Sequence, residues 1–103
     1  MKTRVQKYGG TSVATKESRE KVVSKIIEKH KKGYNVVVVV SAIGRKENPY
    51  STDSLIDLIN KNSISKRELD MILSCGEIIS AVVLSNALSE NGYANLAYEL
   101  AVR

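Results

Sequence analysis

The chain has 103 residues, 43% of them hydrophobic and 26% charged, with a net charge of +5 at neutral pH. This length and composition fit one modest globular domain and exclude a multidomain or disordered protein. The single cysteine cannot form an intrachain disulfide, and no apolar run reaches the roughly 18 residues of a membrane span, so we expect a soluble cytoplasmic protein without a membrane partner.

The first predicted element is a strand over Lys2–Tyr8, in which only Val5 and Tyr8 strongly favour β-structure. It leads into Lys7–Ser12, where a lysine, two glycines and two hydroxyls stand between strand and helix. Glycines let backbone N–H groups approach phosphate oxygens, a helix N-terminus adds its dipole, and a lysine supplies positive charge. The segment matches neither common glycine-rich nucleotide motif, so a plain turn is the alternative to a phosphoryl-binding site.

A helix is predicted from Thr15, a suitable N-cap with Glu17 in its first turn, to Gly33. One face carries four lysines and the opposite face four aliphatic residues: Lys21, Lys25, Lys29 and Lys32, and Val22, Val23, Ile26 and Ile27. We interpret the lysines as a solvated face, because no aromatic side chains stand among them to stack on bases. No nucleic-acid partner is therefore predicted; the alternative would show steeply salt-dependent binding to DNA or RNA.

Asn35–Ser41 contains five consecutive valines, which predicts a parallel strand buried on both faces. Together with the first strand and helix it forms a right-handed βαβ unit. A loop over Ile43–Ser51 follows. Ser51 or Thr52 then caps a short helix whose apolar face is Leu55, Leu58 and Ile59.

Ser65 and Glu68 fit a capping box and predict a helix that turns three residues toward the core: Leu69, Ile72 and Leu73. Beyond Gly76, the stretch Ile78–Leu88 is apolar on almost all sides and predicts a covered central helix that stops at Asn91-Gly92. Glu77 is the only charged residue between Met71 and Ser89. A buried carboxylate there requires a cationic partner or a cavity.

Four further residues are weak candidates for chemistry. We expect His30 to be exposed near the lysine-rich helix end, and Cys75 to be a buried small hydrophobe with no second cysteine for a metal site. Asp53 and Asp57 are interpreted as acids of a first helical turn rather than Mg²⁺ ligands.

Four segments resemble, in order and spacing, the N-terminal catalytic part of the aspartate kinases: KYGGTSVA at Lys7–Ala14, VVVVVSA at Val36–Ala42, STDSL at Ser51–Leu55 and SCGE at Ser74–Glu77. The first of these is the most specific, and the resemblance extends over about residues 2–93. It implies an α/β fold, namely the N-terminal βαβ portion of the three-layer α/β/α amino-acid-kinase domain, followed by helices.

The resemblance also implies an activity, which is transfer of the γ-phosphoryl group of ATP, with Mg²⁺, to the side-chain carboxylate of L-aspartate. In that family this step leads to lysine, threonine and methionine. The resemblance gives Lys7 the catalytic task of neutralising the transferred group. It places Tyr8, Gly9, Gly10 and Ser41 with Lys7 at the nucleotide, and Thr52 and Glu77 at the amino acid. No protein metal ligand is predicted, and the full-length parent is expected to be a homo-oligomer.

Two parallel strands do not make a stable sheet, and the tail Tyr93–Arg103 offers no third strand, since its leucines and alanines favour a helix. Residues 1–103 are therefore predicted to be a partial kinase domain without a regulatory domain, inactive alone. The alternative is a non-catalytic binding module that keeps the βαβ unit and oligomerises to cover its open sheet edge.

Overall fold

The computed structural model describes residues 2–93. Its elements are, in order, β1 (Thr3–Tyr8), a 3-10 turn (Gly10–Val13), α1 (Lys16–Lys31), β2 (Asn35–Val40), α2 (Thr52–Ile56) and α3 (Lys66–Glu90). The two strands pair in parallel, from Thr3 beside Asn35 to Tyr8 beside Val40, and α1 connects them. The predicted α/β class and βαβ unit are confirmed. Apart from Tyr93, the predicted helical tail lies outside the described residues.

α1 begins and ends at the predicted residues because both ends are capped. Thr15 Oγ1 accepts a hydrogen bond from the Ser18 N–H at 3.1 Å, and Ser18 Oγ accepts one from the Thr15 N–H at 3.1 Å. Gly33 follows the helix with a φ of 90°, a conformation that suits glycine. The aliphatic face of α1 packs against α3 to form the core: Val22, Val23 and Ile26 with Leu84, Ala87 and Leu88.

β2 is covered on one face only, so the prediction of burial on both faces is wrong. Val36, Val38 and Val40 pack against the core formed by α1 and α3. Val37 and Val39 point the other way and are 48% and 45% exposed. Successive side chains of a strand alternate between the faces, and no element of residues 2–93 covers the second one. We call this uncovered side, with Val5 on β1, the open valine face.

α2 ends before two of the three residues of its predicted apolar face, Leu58 and Ile59. Ser51 is the N-cap, and its Oγ accepts from the Ser54 N–H at 3.2 Å, so Thr52 is the first helical residue. Leu55 is buried, as predicted. The helix ends at Ile56, which leaves Leu58 in the following turn and 73% exposed, contrary to the prediction.

α3 is one helix of 25 residues where the sequence predicted two. Ser65 caps it, accepting from the Glu68 N–H at 3.1 Å and donating to Glu68 Oε1 at 3.0 Å. It continues through Gly76, because a single glycine lowers helix propensity by only about 1 kcal/mol and packing can offset that. The stretch predicted to be covered on all sides is covered on one, since Ile78 and Val82 are 44% and 49% exposed.

Within residues 2–93, α3 is the one helix long and apolar enough to cross a membrane, judged by length and composition only. Six of its residues are nevertheless buried by the rest of the chain: Leu73, Gly76, Ser80, Leu84, Ala87 and Leu88. The core helix of a globular domain has this pattern, and we interpret α3 as such a helix.

Candidate functional site

Lys7 and Gly9 lie at the carboxyl end of β1, where both are exposed. Lys7 pairs with Val39 and is on the side of the open valine face. Gly9 has an extended backbone, with φ −77° and ψ 173°, and a Cβ atom there would meet nothing within 4 Å. An accessible stretch of backbone beside a free ammonium group is an arrangement that fits a phosphate.

The two glycines stand well before the first long helix, which begins after Thr15 as predicted. They lead into a 3-10 turn of four residues, whose last residue, Val13, is fully buried. Only then does Thr15 cap α1. The dipole of α1 is therefore not at Gly9 and Gly10, and any phosphate contact there depends on Lys7 and the local backbone.

Gly10 is required by packing inside the protein. A Cβ atom on Gly10 would lie 2.6 Å from the carbonyl oxygens of both Ala42 and Gly44. The Gly44 N–H also donates to the Gly10 carbonyl at 2.9 Å. The loops that follow β1 and β2 therefore touch through their backbones, and only glycine at position 10 permits this approach.

Ser41 stands at the carboxyl end of β2, next to that contact. It is exposed, and its N–H donates to the Tyr8 carbonyl at 3.2 Å, which extends the sheet pairing by one bond. The carboxyl ends of parallel strands are where open α/β sheets collect ligands. Ser41 and Lys7 thus lie at the same edge of the sheet.

The Tyr8 side chain is directed away from this edge. It packs against the core, and its hydroxyl donates to Gln6 Oε1 at 2.8 Å. Burial raises the pKa of Tyr8 above its usual value. A nucleotide would therefore meet Tyr8 through its backbone.

The loop before α2 is fixed by hydrogen bonds from Ser54. Its Oγ donates toward the carbonyl oxygens of Asn48, at 2.5 Å, and Lys46, at 3.1 Å. Ser51 is only 1% exposed and also donates to Ser54 Oγ, at 2.9 Å. Because Ser51 caps the helix, Thr52 is exposed at its first position.

Glu77 is half-buried on α3, directly after a glycine at which the protein packs tightly. A Cβ atom on Gly76 would lie 2.9 Å from Leu55 Cδ1, 2.9 Å from the Tyr50 carbonyl oxygen and 3.0 Å from Ala42 Cβ. The space beside Gly76 is thus filled by the protein itself. Glu77 therefore follows directly the residue of α3 that contacts Tyr50, in the loop that leads to Thr52.

Ala42 joins the three segments that carry the candidate residues. It is 4% exposed, its carbonyl oxygen faces Gly10 and its Cβ faces Gly76. The segment after β1, the segment after β2 and the middle of α3 therefore meet at this residue. All of the predicted site residues lie on or beside these contacting segments: Lys7, Tyr8, Gly9, Gly10, Ser41, Thr52 and Glu77.

The weak candidates lie elsewhere or serve the fold. His30 is exposed and meets the Tyr93 ring edge-on at 5.8 Å. Cys75 is exposed rather than buried, and its thiol donates to the Met71 carbonyl at 3.3 Å. Asp53 is in the first turn of α2 as predicted, but Asp57 is at its C-cap. Within residues 2–93, no three His, Cys, Asp or Glu side chains form a metal-binding group.

One feature of this edge has no signal in the sequence. Tyr50 has a φ of 70°, the left-handed region that tyrosine rarely adopts. The preceding Asn48-Pro49 marks a turn, but neither residue specifies the conformation of the one that follows. The Tyr50 carbonyl lies against Gly76, a residue distant in the sequence.

The model of the amino acid kinase family matches residues 2–101. The chain therefore belongs to the amino acid kinase family. Within it, the chain resembles aspartokinases: it is 52% identical over 94 residues to aspartokinase 1 of Bacillus subtilis (strain 168) and 47% identical over 91 residues to the aspartokinase of Geobacillus stearothermophilus. These alignments cover 89% and 86% of this chain.

The fold agrees with that similarity. The crystal structure of aspartate kinase from Synechocystis superposes with a TM-score of 0.74 and 45% identity, over 84% of this chain and 14% of the other. The predicted resemblance of this chain to the N-terminal part of an aspartate kinase catalytic domain is confirmed. The chain spans 23% and 21% of the length of the two aspartokinases named above.

Proposed function

We propose that this chain forms the phosphate-binding and substrate-binding edge of an aspartate kinase. The enzyme transfers the γ-phosphoryl group of ATP to the side-chain carboxylate of L-aspartate, in the cytoplasm and at the start of lysine, threonine and methionine synthesis. The observation that carries the proposal is the junction at Ala42, where the segments bearing Lys7, Ser41 and Glu77 meet. The names of the relatives support the choice of aspartate.

The nucleotide occupies the side of Lys7 and Gly9. Phosphoryl transfer depends on positioning and on stabilising charge that spreads over the phosphoryl oxygens. The Lys7 ammonium neutralises that charge, while the open backbone at Gly9 lets the phosphates approach. Ser41, at the end of the neighbouring strand, contacts the same nucleotide. Mg²⁺, bound together with the nucleotide, would supply further positive charge at the phosphates.

Aspartate occupies the side of Thr52 and Glu77. The Thr52 hydroxyl hydrogen-bonds a carboxylate of the substrate, and the Glu77 carboxylate pairs with its ammonium group. A charged group on an otherwise apolar part of α3 suits this task, because a half-buried carboxylate binds a cation more strongly than a solvated one. The two residues hold the substrate carboxylate toward the phosphates at Lys7.

Under this proposal, residues 1–103 alone have no kinase activity. The sheet of residues 2–93 has two strands and an open valine face, so the site lacks one wall. The parent enzyme supplies that wall and assembles as a homo-oligomer.

A graft tests the function. Residues 2–93 replace the matching segment of the Bacillus subtilis aspartokinase 1, and aspartate-dependent ADP release is measured. We expect turnover in the graft, its loss in Lys7→Ala, and its retention in Lys2→Ala, which removes an exposed lysine just before the start of β1. A folded graft without turnover, or equal activity in both variants, would contradict the proposal. The 103-residue chain alone is expected to release no ADP.

The open valine face favours a second candidate, a non-catalytic module that self-associates. Three exposed valines and two unpaired strand edges within residues 2–93 are a surface that a second copy could cover. A mass that rises with concentration, together with no aspartate or ATP binding and an inactive graft, would favour this candidate over the kinase.

A further inference from the structure

Tyr50 occupies a conformation that its own side chain disfavours. It is the only residue other than glycine with a positive φ among residues 2–93, at 70°. In that region the Cβ atom crowds the backbone, which is why glycine and asparagine are preferred there. Tyr50 is 54% exposed as a residue, so extensive burial of its side chain does not offset the strain. Strained residues of this kind persist where the surrounding structure holds them.

The surroundings hold Tyr50 from both sides. Its carbonyl oxygen packs on the buried Gly76 of α3, at the place where a Cβ atom would be 2.9 Å away. On the following side, Ser51 is buried and caps α2, and Ser54 donates to the Asn48 carbonyl just before the turn. The left-handed residue thus lies between a fixed loop and a fixed helix start.

Tyr50 also connects the two residues assigned to the amino acid. Thr52 stands two positions after it, and Glu77 follows the glycine against which its carbonyl packs. A change of φ at Tyr50 would displace the start of α2 relative to α3, and with it the distance between Thr52 and Glu77.

We propose that Tyr50 is a positioning residue, whose left-handed backbone sets the place of Thr52 relative to Glu77. The proposal rests on the proposed function, and it assigns the effect to the Tyr50 backbone rather than to its ring. If a substitution lowers the population of the left-handed turn to about one tenth, the apparent affinity for the amino acid falls about tenfold. The nucleotide side, held by the contact between Gly10 and the loop after β2, is unaffected.

Two substitutions with opposite preferences separate the backbone from the ring. Tyr50→Val introduces a β-branched side chain, which disfavours positive φ more strongly than tyrosine does. Tyr50→Gly removes the ring but keeps the left-handed conformation accessible. Leu58→Ala, a truncation at a 73% exposed position after α2, is the matched control.

The first measurement is amide hydrogen exchange on the full 103-residue chain. The Leu55 N–H, which donates to the Ser51 carbonyl at 3.0 Å, reports on the start of α2. The Arg19 N–H, which donates to the Thr15 carbonyl at 2.9 Å, reports on α1. We expect Tyr50→Val to accelerate exchange at Leu55 about tenfold without changing Arg19, and Tyr50→Gly and Leu58→Ala to change neither by more than about twofold.

The second measurement is kinetic, on the active graft described above. Tyr50→Val is expected to raise the KM for aspartate about tenfold and to leave the KM for ATP within about twofold. Tyr50→Gly is expected to keep the KM for aspartate of the unsubstituted graft. Unchanged exchange and KM in Tyr50→Val would overturn the proposal, as would an equal rise of KM in Tyr50→Gly. Tyr50→Thr, whose side chain is also β-branched, carries the same expectation and replaces Tyr50→Val if that variant does not fold.

The two proposals fail in different ways. A folded graft without aspartate-dependent turnover would refute the kinase function, and the positioning inference would then be decided by exchange alone. Faster exchange at Leu55 in Tyr50→Val but not in Tyr50→Gly would support it, and equal exchange in all variants would refute it.

Discussion

Gly9 and Gly10 are neighbours in the sequence with different surroundings in the fold. A Cβ atom on Gly9 meets nothing within 4 Å, whereas one on Gly10 would lie 2.6 Å from two carbonyl oxygens of the loop after β2. Gly10→Ala is therefore expected to lower the free energy of unfolding by about 1–3 kcal/mol, the usual cost of overpacking. Gly9→Ala is expected to leave stability unchanged and to weaken ATP binding in the graft.

Urea unfolding of both variants, with the KM for ATP measured in the graft, checks this pair. Equal loss of stability in the two variants would refute the packing explanation for Gly10. An unaltered KM for ATP in Gly9→Ala would count against a phosphate at that position.

Single residues were predictable where their chemistry stands out against their neighbours. Lys7 beside two glycines and Glu77 in an apolar stretch both carry such a signal, and the structure brings their segments together. The close contact at Gly10 and the left-handed turn at Tyr50 carry none, because each depends on a segment distant in the sequence. Cys75 was predicted to be buried, but it lies on the exposed side of α3.

Helix caps permit a prediction at the scale of elements. Ser51 and Ser65 cap α2 and α3 with the same bond to the third residue of the helix, but Ser51 is 1% exposed while Ser65 is exposed. We expect Ser65→Ala to cost about 1 kcal/mol of unfolding free energy, the typical value for a cap. Ser51→Ala should cost about 2 kcal/mol, because it leaves the half-buried Ser54 N–H without its acceptor and opens a gap at a buried position.

Chemical denaturation of both serine variants measures the difference, with Ser63→Ala, exposed in the turn before α3, as the control. A smaller loss for Ser51→Ala than for Ser65→Ala would show that the buried hydrogen bonds of Ser51 do not contribute.

Gly76 gives the second prediction at this scale, because helix propensity and packing act there in opposite directions. In an isolated peptide of Lys66–Glu90, Gly76→Ala should raise helicity, since alanine is favoured over glycine by about 1 kcal/mol. In the folded chain the added methyl group would press on Leu55 and the Tyr50 carbonyl, and we expect a net loss of about 2 kcal/mol. Circular dichroism of the peptide tests the expected gain of helicity, and thermal unfolding of the chain tests the expected loss of stability. Higher stability in both would refute the packing argument.

The same competition explains which helices the sequence could predict. α1 carries both caps and a clear aliphatic face, so its bounds follow from local rules. α3 was divided at Gly76 because glycine is a poor helix former, yet that glycine is where the loop from β2 approaches the helix. Leu58 was placed on the apolar face of α2, which ends before reaching it.

At the scale of the whole molecule, the open valine face leads to a prediction about association. Val37 and Val39 are exposed on it, whereas Val38 packs against the core. We expect the double substitution Val37→Thr and Val39→Thr to reduce self-association of the chain without lowering its unfolding temperature. Val38→Thr should lower that temperature instead, because it places an unpaired hydroxyl against the core.

Sedimentation over a range of concentrations, with thermal unfolding of each variant, distinguishes the two surfaces. Unchanged association in the double variant would show that copies meet elsewhere. The run of valines predicted a strand with apolar faces on both sides, and it could not show that residues 2–93 cover only one of them. The sequence shows which side chains are apolar. Which segment packs against them is visible only in the tertiary structure.

The continuity of α3 has a mechanical consequence. A straight helix of 25 residues extends about 37 Å at 1.5 Å per residue, and Glu77 lies near its middle. The half that follows Glu77 is anchored in the core by Leu84 and Leu88, and no break at Gly76 separates the two halves. The position of the Glu77 carboxylate therefore depends on how the second half of the helix packs in the core, as well as on the loops around Glu77. Under the proposed function, a change in the packing of Leu84 or Leu88 is therefore expected to reach the amino-acid side of the site through the helix itself.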